Sequence, residues 1–229
     1  MEIKINSLIQ GAEEAKGVVI VIDVFRAFTT AAIAFTKGVE KIIMVPDISQ
    51  ALELRNQNNE YLCIGELGGV KPKEFDFGNS PFELTQADIL GRTLVQSTRA
   101  GTVGIDACKN ADSIYAASLL TAKSTVRAVS QLNSHMVNIV AMGLEGKVRS
   151  DEDEQCALYI RNLFLGKIPD HDSIRELILI GAESEKYDDP DLPHFDRRDR
   201  DIALMIDSVT FAIRISRENN LLVARPETF

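Results

Sequence analysis

Five consecutive apolar residues, Val18-Val19-Ile20-Val21-Ile22, stop abruptly at Asp23. A short β-branched run without alternation is the pattern of a strand covered on both faces, and such strands belong to sheets sandwiched between helices. Residues 27–37, rich in alanine and ended by Gly38, then read as a helix, and 41–45 read as a second strand, which makes a βαβ unit. Asp23 is thereby expected at the C-terminal edge of a buried strand, where open α/β sheets bind their ligands. Aspartate is also a preferred helix N-cap, so this residue alone supports capping as well as chemistry.

The alternation continues along the chain. A helix is expected over 48–57, strands over 61–64, 93–96 and 113–116, a helix over 119–132 and a strand over 137–141. Helices are expected over 152–165, where apolar residues recur at helical spacing, and over 172–180. Residues 202–206, 209–215 and 221–224 read as a helix and two strands that complete the sheet. The fold class is α/β with a mostly parallel or mixed sheet and right-handed crossovers. With 229 residues, 45% of them hydrophobic, the chain is expected to form one domain over 1–229. Residues 183–201 read as a solvated acidic loop: they hold eight acids, Asp199 among them, relieved by Lys186, Arg197, Arg198 and Arg200.

Composition excludes several classes of function. A net charge of -9 argues against nucleic acid as a partner. The apolar stretches are only strand-length, and Met1-Glu2-Ile3-Lys4-Ile5-Asn6 has no basic region leading into a long apolar core, so neither membrane span nor signal peptide is expected. Cys63, Cys108 and Cys156 are isolated and odd in number, which points to a reducing cytoplasm. The three histidines lie apart from any acid or serine in a triad pattern, and no Walker or Gly-x-Gly-x-x-Gly motif is present.

Four further segments carry chemistry-bearing side chains. Gly65-Glu66-Leu67-Gly68-Gly69 presents Glu66 in a glycine turn after a strand. Phe75-Asp76-Phe77-Gly78-Asn79-Ser80-Pro81 is a loop offering Asn79 and Ser80. Ser97-Thr98-Arg99-Ala100-Gly101-Thr102 combines hydroxyls, a guanidinium and helix-terminal amides, a set suited to an oxyanion. Ser150-Asp151-Glu152-Asp153-Glu154 opens a helix; its acids suit the helix dipole, and Glu152 or Asp153 could join Asp23 and Glu66 in an all-oxygen site of the kind magnesium prefers.

Taken in order, Asp23-Val24-Phe25-Arg26-Ala27 with Thr29-Thr30, Gly65-Glu66, the 75–81 loop, the 97–102 loop and Ser150-Asp151-Glu152-Asp153 resemble the 2-phosphosulfolactate phosphatase family over roughly the first two-thirds of the chain. The resemblance implies a three-layer α/β/α fold and a magnesium-dependent acid phosphatase that converts 2-phospho-3-sulfolactate to sulfolactate and phosphate, a step towards coenzyme M. Family members often have Leu at Phe25, Arg at Leu67, Asn at Arg99 and Leu at Asp151. Two of these departures, at Leu67 and Arg99, fall within the ligand loops. In the chemistry expected, Asp23, Glu66 and Glu152 or Asp153 hold the cation. Arg26, Thr29, Thr30, Asn79, Ser80, Ser97, Thr98, Arg99, Gly101 and Thr102 surround a small anionic phosphate ester. Asp23 remains open as metal ligand or nucleophile, and oligomeric state is left open, a homo-oligomer included. The competing reading is a non-catalytic sensor of a phosphorylated or sulfonated metabolite.

Overall fold

The computed structural model describes all residues, Met1–Phe229. In chain order the elements are β1 (Glu2–Ser7), α1 (Leu8–Glu14), β2 (Gly17–Ile22), α2 (Ala27–Thr36), β3 (Lys41–Val45), α3 (Ile48–Gln57), β4 (Leu62–Gly65), α4 (Pro81–Gln86), β5 (Thr93–Ser97) and α5 (Gly101–Ala107). There follow β6 (Ala111–Ala117), a 3-10 turn at Leu119–Thr121, α6 (Ala122–Gln131), β7 (Met136–Ala141), α7 (Asp151–Phe164), α8 (His171–Leu179) and α9 (Ala182–Glu185). A 3-10 turn at Lys186–Asp188, α10 (Arg197–Ala203), β8 (Ala212–Glu218) and β9 (Leu221–Glu227) complete the chain.

All the strands join one nine-stranded sheet in the order β1-β7-β2-β6-β8-β9-β3-β5-β4. β2 is central to its half, pairing in parallel with both β6 and β7, which is why its residues are apolar on both faces. Val19 and Val21 pack on the side of α2 and α5, with Ala27, Phe28 and Ile105. Val18, Ile20 and Ile22 face α6 and α7, with Ala128, Val129, Cys156 and Ile160. α3 covers the outer face of β3, β4 and β5 through Ala51. The α/β class and the helix-on-both-faces layering expected from the alternation are present.

The sheet is mixed in a particular way. β1, β7, β2 and β6 are mutually parallel, as are β3, β5 and β4, but β6–β8, β8–β9 and β9–β3 are all antiparallel. Three successive reversals make the two parallel halves run in opposite directions. Even so, Gln96 at the end of β5 donates a 2.9 Å hydrogen bond to the Ala27 carbonyl at the start of α2. Twist accumulated across so many strands brings these ends together.

Several elements differ from expectation. β1 and α1 were not anticipated; β8 begins and ends later than the apolar run suggests, and β9 begins where expected but runs on to Glu227. The 202–206 segment is the end of α10 and the turn after it. The largest correction concerns 183–201. It is not a solvated loop: it contains α9, a 3-10 turn and most of α10, and it buries Ser184, Tyr187, Asp199 and Arg200. Half of its eight acids are paired, Asp188 with Arg200, Asp199 with Arg26, Glu183 with Lys186 and Asp196 with Arg198, while Glu185, Asp189, Asp191 and Asp201 remain exposed. No helix is long and apolar enough to cross a membrane.

Candidate active site

Asp23 follows β2 directly and is almost fully buried. Its Oδ1 accepts the Ala27 amide at 2.9 Å, so the residue does cap α2. Its Oδ2 faces Gly101, where a Cβ would lie 2.8 Å from that oxygen and 2.8 Å from the Ala27 methyl, so only glycine admits the close approach. The helix-terminal amide expected to meet an oxyanion is directed at Asp23 instead. Burial pushes the Asp23 carboxyl up to about 6; the Ala27 amide opposes the rise and the Glu66 charge adds to it.

Glu66 arrives from the opposite half of the sheet. Gly65 before it has φ +140, and a Cβ there would overlap the Ser97 carbonyl. This glycine lets β4 end against β5 and turn Glu66 inward. Glu66 Oε2 accepts the Gly69 amide and Oε1 the Arg99 amide, each at 2.7 Å, so one carboxylate ties two loops together.

The first turn of α7 supplies the other acids. Asp153 accepts the Val24 amide at 2.7 Å and the Gly143 amide at 2.8 Å, fastening α7 to the chain leaving β2 and β7. Burial holds its pKa well above the usual carboxylate range, with the Glu152 and Asp23 charges pushing the same way. Burial likewise pushes Glu152 up to about 8, reinforced by Glu183 and Asp23. Six carboxylates, with Glu145 and Glu183, thus share one cavity of about 340 Å³ with only Arg26, Arg99 and Lys186 as cations.

Arg26 is committed to protein contacts. It donates to Asp199 at 2.7 Å, to the His194 carbonyl at 2.9 Å and to the Gly69 carbonyl at 3.3 Å, and it stacks on Phe195. Arg99 is freer: its side chain is 42% exposed and touches Glu145 at 3.3 Å. Lys186 pairs with Glu183 at 2.5 Å on the facing wall. Asn79 also lines the cavity, and its buried Oδ1 has no hydrogen-bond partner.

Of the residues singled out in the sequence, Asp23, Arg26, Glu66, Asn79, Arg99, Glu152 and Asp153 line this cavity. The hydroxyl residues do not. Thr29 donates to the Val24 carbonyl, Thr98 and Thr102 bond to each other's backbone and hydroxyl groups, and Thr30 is buried in α2. Ser80 caps α4 and donates to Asp199 at 2.6 Å. Ser97 and Thr98 border a separate depression beside Pro46 and Asp47. The Thr29 and Thr102 hydroxyls satisfy nearby backbone, the usual alternative to ligand binding, whereas the buried Thr30 hydroxyl has no partner. Sequence reasoning missed Lys186, Leu192, His194 and Phe195, which line the cavity from within the supposed loop, and Asp199 behind Arg26.

The carboxylates around the cavity offer the oxygen donors a hard cation requires, with Asn79 Oδ1 a further acceptor without a partner and His194 the one imidazole on the wall. No three His, Cys, Asp or Glu side chains are gathered into a ready-made cage. Magnesium needs none, because it retains waters and takes one or two carboxylates together with phosphate oxygens. The residues fit that ion: Asp23, Glu66 and Asp153 each accept amides yet keep further lone pairs, and Glu152 stands beside them on the cavity wall.

A family model described as 2-phosphosulpholactate phosphatase matches residues 3–187. The chain belongs to the 2-phosphosulfolactate phosphatase family. It is 35% identical over 175 residues to a Thermus thermophilus protein named probable 2-phosphosulfolactate phosphatase, covering 76% of this chain and 72% of that one. A Bacillus subtilis protein of the same name is 33% identical over 183 residues, 79% of this chain and 78% of its own. A third, from Caldicellulosiruptor saccharolyticus, is 36% identical over 155 residues, 66% of this chain and 64% of its own. Within this phosphatase family match lie the acids of the cavity, Arg26, Arg99 and Lys186. His194, Phe195, Asp199 and the β8–β9 hairpin lie beyond it.

Proposed function

We propose that the chain is a magnesium-dependent phosphoric monoester hydrolase that cleaves 2-phospho-3-sulfolactate to 3-sulfolactate and phosphate. The observation that carries this reading is the meeting of Asp23 and Glu66, from oppositely directed half-sheets, in one acid-lined cavity with Glu152, Arg99 and Lys186. Family membership supplies the substrate class, since the relatives bear the name of that phosphatase.

Asp23, Glu66 and Glu152 would hold the magnesium. When bound, the ion supplies positive charge to phosphoryl oxygens in a cavity whose own acids would otherwise repel a phosphate ester. Arg99 and Lys186 donate to the phosphate, sulfonate and carboxylate oxygens from two sides, and the Asn79 amide adds a neutral contact. Phe25, Leu192 and Phe195 restrict water around the reacting bond. In this reading water is the nucleophile and Asp23, its two oxygens held in place by the Ala27 and Gly101 amides, serves the cation. This reading assigns the chain to the cytoplasm, in keeping with three free buried cysteines, and to a route towards coenzyme M.

The test is phosphate release from a panel of small phosphate esters, with magnesium and with chelator. Turnover is expected with magnesium alone and greatest for the sulfonated substrate. Thermal stabilisation by these esters without phosphate release would instead support a sensor.

A further inference from the structure

We infer that Asp199, beyond the segment shared with the family model, is a positioning residue that holds Arg26 on the cavity wall and keeps its guanidinium out of the carboxylates. The inference rests on the phosphatase reading of the same cavity. Asp199 is fully buried on α10, and both its oxygens are engaged. Oδ2 accepts Arg26 Nη1 at 2.7 Å, while Oδ1 accepts the Ser80 hydroxyl at 2.6 Å and the Phe82 amide at 2.9 Å.

Arg26 stands between two sets of acids. On one side lie the cavity carboxyls Asp23, Glu66, Glu152 and Asp153, a cluster of acceptors whose ionised form a guanidinium among them would stabilise. On the other side lies Asp199, the one carboxylate bonded to Arg26. A buried arginine goes to the carboxylate that gives it the shortest, best-aligned bond, and Asp199 is fixed for that purpose by α4. Its grip keeps the Arg26 donors on the His194 and Gly69 carbonyls, which frame the cavity mouth, and leaves the acids free for a cation. The Ser80 hydroxyl and the Phe82 amide in turn hold the Asp199 carboxylate on α4, so that its other oxygen meets Arg26. Substituting Asp199 lets Arg26 turn into the carboxylates and occupy the place of the cation and phosphate.

A double-mutant cycle on the full-length protein tests this, with two readouts: affinity for inorganic phosphate in the presence of magnesium, by calorimetry, and KM and kcat on a phosphate ester. Asp199→Asn, nearly isosteric, is expected to weaken phosphate binding and raise KM by about tenfold or more, in the range seen when a supporting partner of a site residue is removed. In an Arg26→Gln background the same change is expected to do nothing further, because Asp199 acts through Arg26. Equal effects of Asp199→Asn in both backgrounds, or none in either, would overturn the inference. Should Asp199→Asn fail to fold, Ser80→Ala removes one donor from Asp199 without stranding a charge. It must then raise KM at least about threefold with Arg26 present and leave it unchanged in Arg26→Gln. Wild-type protein that binds phosphate but hydrolyses no ester removes the phosphatase reading and leaves the cycle readable in affinity. Wild-type protein that neither binds phosphate nor hydrolyses ester removes both.

Discussion

Replacing Asp23 with Asn should make the cation-free protein more stable and the enzyme less active, and the size of both effects follows from the site. Burial and Glu66 raise the Asp23 pKa from 3.8 to about 6 against the pull of the Ala27 and Gly101 amides. At about 1.4 kcal/mol per pH unit, keeping this carboxylate ionised at pH 7 costs the fold about 3 kcal/mol relative to the unfolded chain. Between pH 4 and 6 the folded state holds a proton that the unfolded state has released, so this contribution lowers stability as pH rises and is constant above. Asn keeps an oxygen for the Ala27 amide and is a good cap, but it turns an NH2 towards Gly101 and loses about 1–2 kcal/mol there. The net gain of about 1–2 kcal/mol corresponds to a Tm about 2–8 °C higher for a chain of this size. The assay is thermal denaturation in chelator at pH 7 and at pH 4, alongside phosphate release with magnesium. The gain should vanish at pH 4, where Asp23 is protonated in the wild type, and turnover should fall about 100-fold or more. A variant no more stable than wild type at pH 7, or one whose advantage persists at pH 4, would refute the reasoning.

Three other substitutions separate support of the site from contact with substrate. Gly65→Ala places a Cβ into the Ser97 carbonyl at φ +140 and should cost more than about 4 kcal/mol in urea denaturation; a cost under about 1 kcal/mol would contradict the packing of β4 on β5. Asp153→Ala strands the buried Val24 and Gly143 amides at about 1–3 kcal/mol each, partly offset by removing a buried charge, so its Tm should fall and its activity with it. Arg99→Ala removes an exposed cation with one long tie to Glu145, so Tm should stay within about 2 °C while KM for a phosphate ester rises about tenfold. An unchanged KM would take Arg99 out of substrate binding.

The β2–α2–β3 unit was legible because each of its signals is local: an apolar run, a helix of alanines, a stop at Gly38. β1 carried only a short signal, Ile3 and Ile5 alternating with Glu2 and Lys4, on an edge strand that pairs with β7 alone. The cavity acids were legible as strand-end and helix-start carboxylates, and Glu152 and Asp153 stood out by exceeding what a cap needs. The hydroxyls of Thr29, Thr98 and Thr102 misled, since threonine near a strand end serves backbone as readily as ligand. Asp199 was hidden among eight acids of one stretch. Which of them is buried depends on Arg26, 173 residues away, and no local period encodes that pairing.

The oppositely directed half-sheets explain why an acidic protein can build this site at all. In a singly directed parallel sheet the ligand edge has one row of strand ends, and acids placed there sit side by side. Here Asp23 and Asp153 approach from the half containing β2 and β7, while Glu66 and Arg99 approach from the half containing β4 and β5. The two rows of carboxylates face each other across the cavity. The hydrogen-bonded link between the halves is the β8–β9 hairpin, whose ladder fixes β6 to β3. Both that hairpin and Asp199 lie past the end of the family match. The terminal segment therefore meets the cavity twice over, by joining the two half-sheets through its strands and by pairing Asp199 of α10 with Arg26.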